Sequence, residues 1–588
     1  MAIDLLEKAS KENKLSSSQM TKRVLKYVWP EKWHFIIAFI IIGLNVALEA
    51  LMPQFLGYIM KELNADKPSL NLIIWIAVGY FAITLVTYTL SYIQGIDLQK
   101  TGQKIIYKLR MEVFNHIESM SQNQFNNIPV GSLVTRVTNY TSSMSDLFTN
   151  ILVNLIKNVL TVIVVFIMML FISVKLSLIE LVFFAVVFGA SYIFRRFIGK
   201  IFRKERNCIS DINTFLSENL SGMKITQIFN QESTKDKEFL EKNENLRKAR
   251  YQVTIAFAIY RPFITLVYSA AICTNFILGM NFKVDAVTIV TFYLYISRFF
   301  NPVQSIADQL NGIQKANTAC EKLFNLLDIV PEIVDEPEAL EIDKFKGKIE
   351  FRNVWFAYEN ENWILKNVSF IVYPGQTAAF VGATGAGKTT ILGLIVKNYQ
   401  IQKGEILIDD ININNIKTTS LRKHIGQMLQ DVFLFNGTLR SNITLHDESY
   451  SDEQILKACN YVNASSFINK ENNGLDKKVI ERGENFSQGQ RQLISFARTV
   501  LHKPDILILD EATANIDTET EVLIQDSLEK MRSIGTMLIV AHRLSTIQKA
   551  DQIICLQKGE IVEIGNHQSL LKLKGYYYKL YKLQFENK

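Results

Sequence analysis

The sequence predicts a membrane protein in two parts, an all-α region of six transmembrane helices followed by an α/β domain. Three observations support this. The chain has 588 residues, too many for one domain. Its long apolar runs lie within the first 310 residues. Further on, "GATGAGKTT" lies between the apolar strand "TAAFV" and the helical stretch "TILGLIV", an order typical of an α/β domain.

Composition excludes several classes of protein. The net charge of +7 is modest for this length, which argues against a dedicated nucleic-acid binder. No C-x-x-C pair occurs, so neither a zinc site nor a disulfide framework is indicated. The five cysteines are scattered: Cys208, Cys273, Cys320, Cys459 and Cys555. The stretch "MAIDLLEKASKENKLSSS" has no apolar core, so we expect no cleavable signal peptide.

Six segments are long and apolar enough to span a bilayer, which needs about 20 apolar residues. Between Lys67 and Asp97, and between Arg261 and Lys283, no charged residue occurs. Four further candidates carry one internal charge each: 35–60 with Glu49, 147–172 with Lys157, 176–195 with Glu180, where Arg195 is the last residue, and 286–306 with Arg298.

Charged residues inside spans are usually functional, so these four are candidates to line a cavity. The alternative is that some reach a headgroup or pair with another helix. Glu180 lies close to the outer end of its span, where this alternative is equally favoured. Arg298 in "RFFNP" is the strongest candidate.

Basic residues predict the orientation, because lysine and arginine accumulate in cytoplasmic loops. The segments 96–145 and 196–250 carry five and twelve basic residues. We therefore place both segments and both termini in the cytoplasm. Both segments are polar but helical in pattern, so we expect membrane helices that extend into the cytoplasm. The stretch "MTKRVLKYVWPEKWHF" suits an interfacial helix; a solvated cytoplasmic helix is the alternative.

A linker separates the two parts. Residues 329–347, "IVPEIVDEPEALEIDKFKG", are acidic and contain two prolines. This boundary divides the chain into four regions: a tail with an interfacial elbow helix at 1–33, the transmembrane domain at 34–328, the linker at 329–347 and the α/β domain at 348–588. After the linker, "NVSFIVYPGQTAAFVG" indicates a hairpin turn into a buried strand.

A phosphate-binding loop opens the chemistry of the second part. Gly382 to Thr389 match G-x-x-x-x-G-K-[ST] in the strand–helix context that this loop requires. Its backbone N–H groups and the helix N-terminus attract phosphate, Lys388 reaches the β- and γ-phosphates, and Thr389 ligates Mg²⁺. The predicted contacts to nucleotide are Gly382, Ala383, Thr384, Gly385, Ala386, Gly387, Lys388, Thr389 and Thr390.

A second strand ends in two carboxylates. "ILILDEA" places Asp510 where a magnesium ligand belongs beside such a loop. Glu511 is then the general base that polarises the attacking water. Taken alone, "LDE" is equally consistent with an exposed acidic turn.

Residues 350–585 resemble the nucleotide-binding domain of ATP-binding cassette (ABC) transporters, with every motif in order. The resemblance implies that Tyr358 in "FAY" stacks on adenine and that Gln430 ligates magnesium and senses the membrane domain. It also implies that His542 in "VAHRLST" contacts the γ-phosphate. Asp517 in "ATANID" matches the loop that contacts the opposite subunit. Glu481 in "ERGENF" matches a loop that contacts the membrane domain.

The stretch "FSQGQ" resembles the family signature and forms a second anion site at a helix start, with Ser487, Gly489 and Gln490. In the family, this site caps ATP held by the other chain of a head-to-tail dimer. Phe486 and Gln488 replace the usual leucine and glycine. Together with the intact Glu511 and His542, they resemble the active subunit of bacterial heterodimeric multidrug exporters. We favour a heterodimer over a homodimer.

The membrane half resembles that of half-transporters with the type IV exporter fold. Its cytoplasmic turns at 123–131 and 215–224 would dock on the ATPase. The implied function is ATP- and Mg²⁺-dependent export of amphipathic drugs, lipids or peptides across the cytoplasmic membrane by alternating access. A lipid-flipping homodimer is the nearest alternative. An ATP-gated sensor or channel is another alternative. The presence of Glu511 and His542 argues against it, because a protein that uses ATP only for gating would tolerate their loss. No nucleic-acid partner is expected.

Overall fold

A computed structural model describes residues 17–359, 362–429, 431–468, 474–510, 516–540 and 547–583. Three predicted site residues, Gln430, Glu511 and His542, lie outside these ranges. The chain divides into two compact units. The helical unit contains the described residues up to His116 together with Pro129–Ile329. The C-terminal unit contains Ile117–Ile128 and the described residues from Val330 onward.

The helical unit consists of long helices, several of which continue far beyond the length of a bilayer span. They are α1 (Ser17–Val28), α2 (Lys32–Leu63), α3 (Leu70–Glu118), α5 (Val130–Ile172), α6 (Val174–Ser221), α7 (Met223–Ile228), α8 (Glu232–Asn281) and α9 (Ala286–Leu327). Helix α4 (Gln122–Asn126) follows α3 and belongs to the C-terminal unit. Helix α5 contains two π-helical stretches, Arg136–Tyr140 and Leu147–Ile151.

Among the described residues, five helices are long and apolar enough to cross a membrane, and they carry five of the six predicted spans. The sixth predicted span, 286–306, lies in α9 and is less apolar, because Arg298 and Asn301 interrupt it. Phe292, Tyr295 and Ile296 of α9 are nevertheless fully buried among the other helices. A helix enclosed by its neighbours can carry polar side chains that a lipid-facing helix cannot.

Helix α1 has features expected of an interfacial helix. Trp29 directly after α1 and Trp33 in the first turn of α2 are each 66% exposed, and the Lys32 ammonium lies 4.8 Å and 5.9 Å from their ring centroids. Arg23 Nη1 pairs with Asp328 at 2.7 Å, which attaches α1 to the end of α9. Tryptophan with lysine at the end of an amphipathic helix suits the level of lipid headgroups.

Two sheets form the frame of the C-terminal unit. Antiparallel strands β1 (Ile349–Ala357), β2 (Trp363–Val372), β4 (Lys403–Ile408) and β5 (Ile411–Asn412) are ordered β2-β1-β4-β5. The second sheet is ordered β12-β11-β3-β10-β9-β6. Its strands are β3 (Thr377–Val381), β6 (Ile425–Met428), β9 (Ile506–Asp510), β10 (Thr536–Val540), β11 (Gln552–Gln557) and β12 (Glu560–Gly565). All except β12 run parallel.

The predicted hairpin over "NVSFIVYPGQTAAFVG" is wrong. β2 pairs with β1 in one sheet, whereas β3 lies between the parallel strands β10 and β11 in the other. The turn at Pro374 and Gly375 therefore carries the chain from one sheet to the next. All five residues of β3 are buried, as expected for a strand in the centre of a parallel sheet.

Helices cover the larger sheet and complete the unit. The described helices are α10 (Lys388–Ile395), α11 (Thr418–Lys423), α12 (Leu439–Thr444), α13 (Asp452–Tyr461), α14 (Ser465–Ile468), α15 (Gln488–Leu501), α16 (Thr518–Met531), α17 (His567–Leu573) and α18 (Tyr576–Tyr581). A two-stranded sheet of β7 (Gly437–Thr438) and β8 (Lys478–Val479) precedes α15. One apolar cluster lies beneath α10 and another beneath α15.

The predicted linker is bound along its length within the C-terminal unit. Asp335 accepts hydrogen bonds from Lys397 Nζ at 3.1 Å and from Thr418 Oγ1 at 2.6 Å. Asp409 accepts from the backbone N–H groups of Lys346 and Lys348 at 2.6 and 2.8 Å. The acidic residues that suggested a solvated linker are thus used in part to fasten it.

Helix α4 packs against the start of this segment. Gln124 Nε2 donates to the Val330 carbonyl at 2.7 Å, and Ser121 Oγ donates to Glu332 Oε2 at 2.8 Å. Helix α4 lies within the turn 123–131 that was predicted to dock on the ATPase, apart from its first residue.

Candidate functional site

The candidate site lies at one edge of the larger sheet. Strands β3, β10, β9 and β6 are adjacent and parallel, so their carboxyl ends meet at the same edge. This is where α/β sheets bind ligands. Four predicted site positions follow these strands or end them: Gly382 after β3, Asp510 in β9, Gln430 two residues after β6 and His542 two residues after β10.

The loop after β3 has the backbone shape needed to approach an anion. Gly385 and Gly387 have φ values of +80° and +100°, which side chains disfavour. A Cβ atom on Gly387 would lie 2.6 Å from the side chain of Leu365. Gly387 is also the N-cap of α10 and has no side chain to cap it. The first N–H groups of α10 are therefore available to a phosphate.

Lys388 is buried, with 7% of its surface exposed, and folds back over this loop. Its ammonium donates to the carbonyls of Gly382 at 2.8 Å and Ala383 at 3.1 Å. Burial lowers the pKa of Lys388 from its ordinary value, and the nearby Asp510 carboxylate partly offsets this effect. Within the described ranges, the hydrogen bonds of this buried cation go to neutral carbonyl groups, which it can exchange for phosphate oxygens.

Tyr358 lies beside the same helix. Its hydroxyl hydrogen-bonds with Thr390 Oγ1 at 2.9 Å, and its ring packs edge-on against Phe356 and Tyr399. The residue is 41% exposed, which leaves ring surface free to stack on a base. An aromatic ring fixed at its hydroxyl end and exposed elsewhere suits this function.

Asp510 and Thr389 fit a magnesium site. Asp510 is half-buried at the carboxyl end of β9 and lies near enough to act electrostatically on Lys388. Thr389 is exposed in the first turn of α10. Carboxylate and hydroxyl oxygens, completed by phosphate oxygens and water, are the ligands that Mg²⁺ prefers.

A second helix start lies over a different apolar cluster. Ser487 is the N-cap of α15, where its Oγ accepts from the Gln490 N–H at 3.2 Å and Gln490 Oε1 accepts from the Ser487 N–H at 3.0 Å. This reciprocal pair is a capping box. Ser487 is exposed. Its hydroxyl proton remains available to a phosphate oxygen, because the capping bond uses only a lone pair.

Gly489 allows α15 to approach α16 closely. A Cβ atom at Gly489 would lie 2.3 Å from Thr520 Cγ2 and 3.2 Å from the Ile516 side chain. Asp517 is the N-cap of α16 and accepts from the Thr520 N–H at 2.9 Å. The structure thus brings the signature stretch and Asp517 to neighbouring helix starts.

Comparisons with known proteins agree with this architecture. Residues 35–303 match the family described as ABC transporter transmembrane region, and residues 365–514 match the family described as ABC transporter. YheH of Bacillus subtilis, named as a multidrug resistance ABC transporter ATP-binding/permease protein, is 36% identical over 88% of this chain and 78% of its own. The chain belongs to the ABC transporter family.

Two further comparisons bear on this ABC transporter. The ATP-dependent lipid A-core flippase of Syntrophus aciditrophicus is 33% identical over 96% of this chain and 94% of its own. A bacterial Atm1-family ABC exporter solved with ATP bound is 24% identical, covers 94% of this chain and 98% of its own, and has a TM-score of 0.78. This likeness confirms the predicted fold class. The predictions of an ATPase coupled to transport, of nucleotide binding and of a multi-pass protein of the cell membrane are also confirmed.

The structure explains one of the two departures of this transporter from the family signature. Phe486 is buried, packs edge-on against Phe467 and has the Lys477 ammonium 4.8 Å from its ring centroid. An aromatic ring in place of leucine therefore serves the core. Gln488 is exposed and lines a groove of about 400 Å³ with Arg482 and Arg491. Nothing in the structure explains why glutamine rather than glycine stands there.

Sequence reasoning missed one residue beside the predicted base-stacking ring. Tyr399 packs edge-on against Tyr358, with ring centroids 5.1 Å apart, and the side chain of Asn126 of α4 lies close enough to its hydroxyl to offset part of the rise in the pKa of Tyr399 that burial causes. A chain of contacts therefore runs from Asn126 through Tyr399 and Tyr358 to Thr390. An aromatic residue shortly after the phosphate-loop helix was the only available signal, since Asn126 and Tyr399 are separated by nearly half of the chain.

Proposed function

We propose that this chain is one half of a dimeric exporter that uses ATP to move amphipathic substrates out of the cytoplasm. The observation that carries this proposal is the presence of two phosphate-suited helix starts on one chain. Lys388 serves the first, and the second, at Ser487, has exposed donors and its own supporting cluster. Head-to-tail pairing of two subunits would place Ser487 of each against the nucleotide held by the other.

In the proposed cycle, Lys388 and the N–H groups of α10 hold the β- and γ-phosphates, and Tyr358 stacks on the base. Thr389, Gln430 and Asp510 would hold Mg²⁺, which supplies charge neutralisation between phosphate oxygens. Glu511 accepts a proton from the attacking water, and His542 contacts the γ-phosphate. Binding of ATP closes the dimer and hydrolysis reopens it, which switches the membrane helices between inward- and outward-facing states.

We propose a heterodimer rather than a homodimer. Gln488 adds bulk at the first position of α15, next to the serine that would meet the nucleotide of the partner. In a heterodimer, Ser487 and Gln488 would complete the nucleotide site of the second subunit. If the catalytic residues of that subunit are weakened, little hydrolysis occurs there, and the presence of Gln488 is tolerated. Purification of this chain alone tests the choice: ATP-driven transport by reconstituted homodimers would contradict it.

The second predicted docking turn supports the need for a partner. That turn, predicted at 215–224, exposes Leu220 at 64%, and the residues that follow it in and after α7 expose Ile225 at 64%, Ile228 at 63% and Phe229 at 67%. So many large apolar side chains on one polar, cytoplasmic extension mark an interaction surface. We propose that this turn docks on the ATPase domain of the other subunit, with both termini and both ATPase domains in the cytoplasm.

The substrates are proposed from the relatives and from the spans. One relative is named for multidrug resistance and another for lipid A-core flipping. We infer from these names that amphipathic drugs and lipids are the substrates to test first. The transmembrane domain proposed at 34–328 is rich in aromatic residues, as in "TFYLYISRFF", and aromatic side chains bind such molecules with little loss of conformational entropy.

The deciding experiment replaces the general base. Glu511→Gln should retain ATP binding and lower the hydrolysis rate about 10²–10⁴-fold, because an amide cannot accept the proton of water. ATPase rate and nucleotide retention are measured on the same preparation. Glu529→Gln, on the exposed surface of α16, is the matched control. Unchanged hydrolysis in Glu511→Gln would remove that residue from the mechanism.

A further inference from the structure

Three of the four charged residues found within the predicted spans meet in one place. Lys157 Nζ of α5 lies 3.4 Å from Glu49 Oε1 of α2. Arg298 of α9 donates through Nη1 to the backbone carbonyl of Glu49 at 2.5 Å and through Nη2 to Met52 Sδ at 3.3 Å. Each charge stands near the middle of its span. Charges at that depth are costly and avoid lipid, so this cluster faces the interior of the helical unit or a water-filled cavity.

A proline explains part of this arrangement. Pro53 lies inside α2 and has no N–H, so the carbonyl of Glu49, four residues earlier, lacks its helical partner. Arg298 supplies the missing donor. One turn before it, Tyr295 donates through its hydroxyl to the next carbonyl, that of Ala50, at 2.6 Å. These two bonds fix α9 on α2 and hold the guanidinium in one orientation.

The Glu49 carbonyl does not require a cation, since a neutral donor would satisfy it equally well. The positive charge of Arg298 therefore needs a separate explanation. Lys157 and Arg298 carry two positive charges, and Glu49 carries one negative charge. Among the described side chains and carbonyls, Arg298 donates to a carbonyl and a thioether, both neutral, and its fork has five N–H donors. Lys157 and Glu49 are 37% and 31% exposed, so the cluster is accessible. An excess positive charge at this depth favours an anion.

The fourth charged residue is separate. Glu180 of α6 is 1% exposed, and its Oε2 has no hydrogen-bond partner among the described residues. In the part of the chain that the structure describes, no hydrogen bond or ion pair joins Glu180 to Lys157 or Arg298. Glu180 therefore does not neutralise the cluster.

We propose that Arg298 and Lys157 bind the anionic headgroup of the transported substrate. Carboxylates, sulfates and phosphates match the planar fork of arginine, and Lys157 adds a second cation while Glu49 moderates the attraction. The apolar part of the substrate would lie along the surrounding helices. This inference rests on the proposed export function and narrows its substrate class to amphipathic anions.

The test uses two fluorescent probes that differ in headgroup charge, 1-pyrenebutyrate and 1-pyrenebutyltrimethylammonium. The full-length transporter, in the assembly in which it purifies, is placed in nanodiscs of zwitterionic phosphatidylcholine. We expect the anionic probe to bind at least about tenfold more tightly than the cationic one, as for one good charge-assisted contact. Arg298→Gln should remove this preference.

Two further variants keep the inference falsifiable if Arg298→Gln does not fold. Glu49→Gln removes the moderating charge and should tighten binding of 1-pyrenebutyrate, an effect opposite in sign to that of a general loss of structure. Arg261→Gln is the matched control, because Arg261 is an exposed arginine of α8 whose recorded side-chain contact is with Phe257. It should leave the affinity of both probes unchanged.

Equal affinity for the two probes, or weaker anion binding by Glu49→Gln, would overturn the inference. ATPase activity measured in the same nanodiscs separates this failure from that of the proposed function. Hydrolysis stimulated by the cationic probe alone would contradict anion recognition and leave the exporter intact. Anion binding by a transporter without any ATPase activity would support the site and contradict the proposed function.

Discussion

The two helix starts that are suited to phosphate differ in how their N–H groups are satisfied. Helix α10 begins after Gly387, which has no side chain to cap it, and the buried Lys388 donates to carbonyls of the loop. Helix α15 begins with a complete capping box between Ser487 and Gln490. Among the described residues, the N–H groups at the start of α10 therefore have no side-chain cap and are available to a phosphate. The second helix start is stable by itself and can wait for a nucleotide brought by another subunit.

The largest effect should follow from a change at the phosphate loop before α10. Lys388→Ala removes the buried cation that lies over the phosphate loop, so we expect ATP binding to weaken and hydrolysis to fall at least about 100-fold. Binding of a fluorescent ATP analogue and release of phosphate measure the two quantities. Lys457→Ala, on the exposed face of α13, is the control. Wild-type ATP affinity in Lys388→Ala would contradict the assignment of this site.

Removing the cap of α15 should have the next largest effect, and the chain offers a matched pair for it. Ser451 caps α13 through the same capping box, with Gln454 as its partner. Ser487→Ala and Ser451→Ala should each cost about 1 kcal/mol of stability. Only Ser487→Ala should also lower hydrolysis per folded dimer, by about tenfold, the value of one charge-assisted hydrogen bond.

Thermal unfolding and ATPase assays on both serine variants separate these two effects. If both variants lose the same fraction of activity, the cap of α15 acts on stability alone. Ser487 would then not contact nucleotide, and the proposed head-to-tail arrangement would fail.

A smaller effect is expected from restoring the usual glycine. Gln488→Gly removes bulk beside Ser487 and should raise hydrolysis at the site completed by Ser487 a few-fold, within the about tenfold range of one contact. Glycine in a helix costs about 1 kcal/mol or less. Gln488→Ala, which shortens the side chain without that cost, is the control. Unchanged rates in both variants would show that Gln488 does not restrict the approach of phosphate.

The smallest effect concerns the neighbouring cap of α16. The Thr520 N–H, donating to the carboxylate of Asp517, holds the pKa of Asp517 below its ordinary value. The charged cap therefore stabilises the helix start above the ordinary value of about 3.9, and this contribution is lost as the pH falls through the lowered pKa. In Asp517→Asn, the cap is neutral and should not respond to pH.

Hydrogen exchange at the Thr520 amide measures this difference. The ratio of protection between wild type and Asp517→Asn should be constant near neutral pH and fall below about pH 4, where aspartate becomes protonated. A ratio that does not change with pH would mean that the charge of Asp517 contributes nothing to the start of α16.

Local patterns made much of this molecule predictable. The phosphate loop could be predicted because its glycines, lysine and threonine must occur at fixed spacing between a buried strand and a helix. Five of the six spans satisfy a simple criterion of length and apolarity. The start of α15 was predicted because "FSQGQ" resembles the family signature and precedes a stretch of helical pattern.

Contacts between distant segments were not predictable. The pairing of Tyr399 with Asn126, and of Glu332 with Ser121, depends on how segments far apart in sequence meet. The same is true of Arg298 on the carbonyl freed by Pro53. The hairpin prediction was wrong because a turn with proline and glycine looks the same whether it joins two paired strands or two sheets. Domain limits and the roles of the site residues stay predictions.

The C-terminal unit is assembled from two separate pieces of chain, and this limits how it can be cut. A soluble fragment beginning near Val330 would leave the Val330 carbonyl, Glu332 and the Tyr399 hydroxyl without Gln124, Ser121 and Asn126. Such a fragment would lack the contacts that residues 117–128 make with the rest of the C-terminal unit in the intact chain. Supplying residues 117–128 as a peptide, or grafting them through a short tether, would return those contacts to the truncated enzyme.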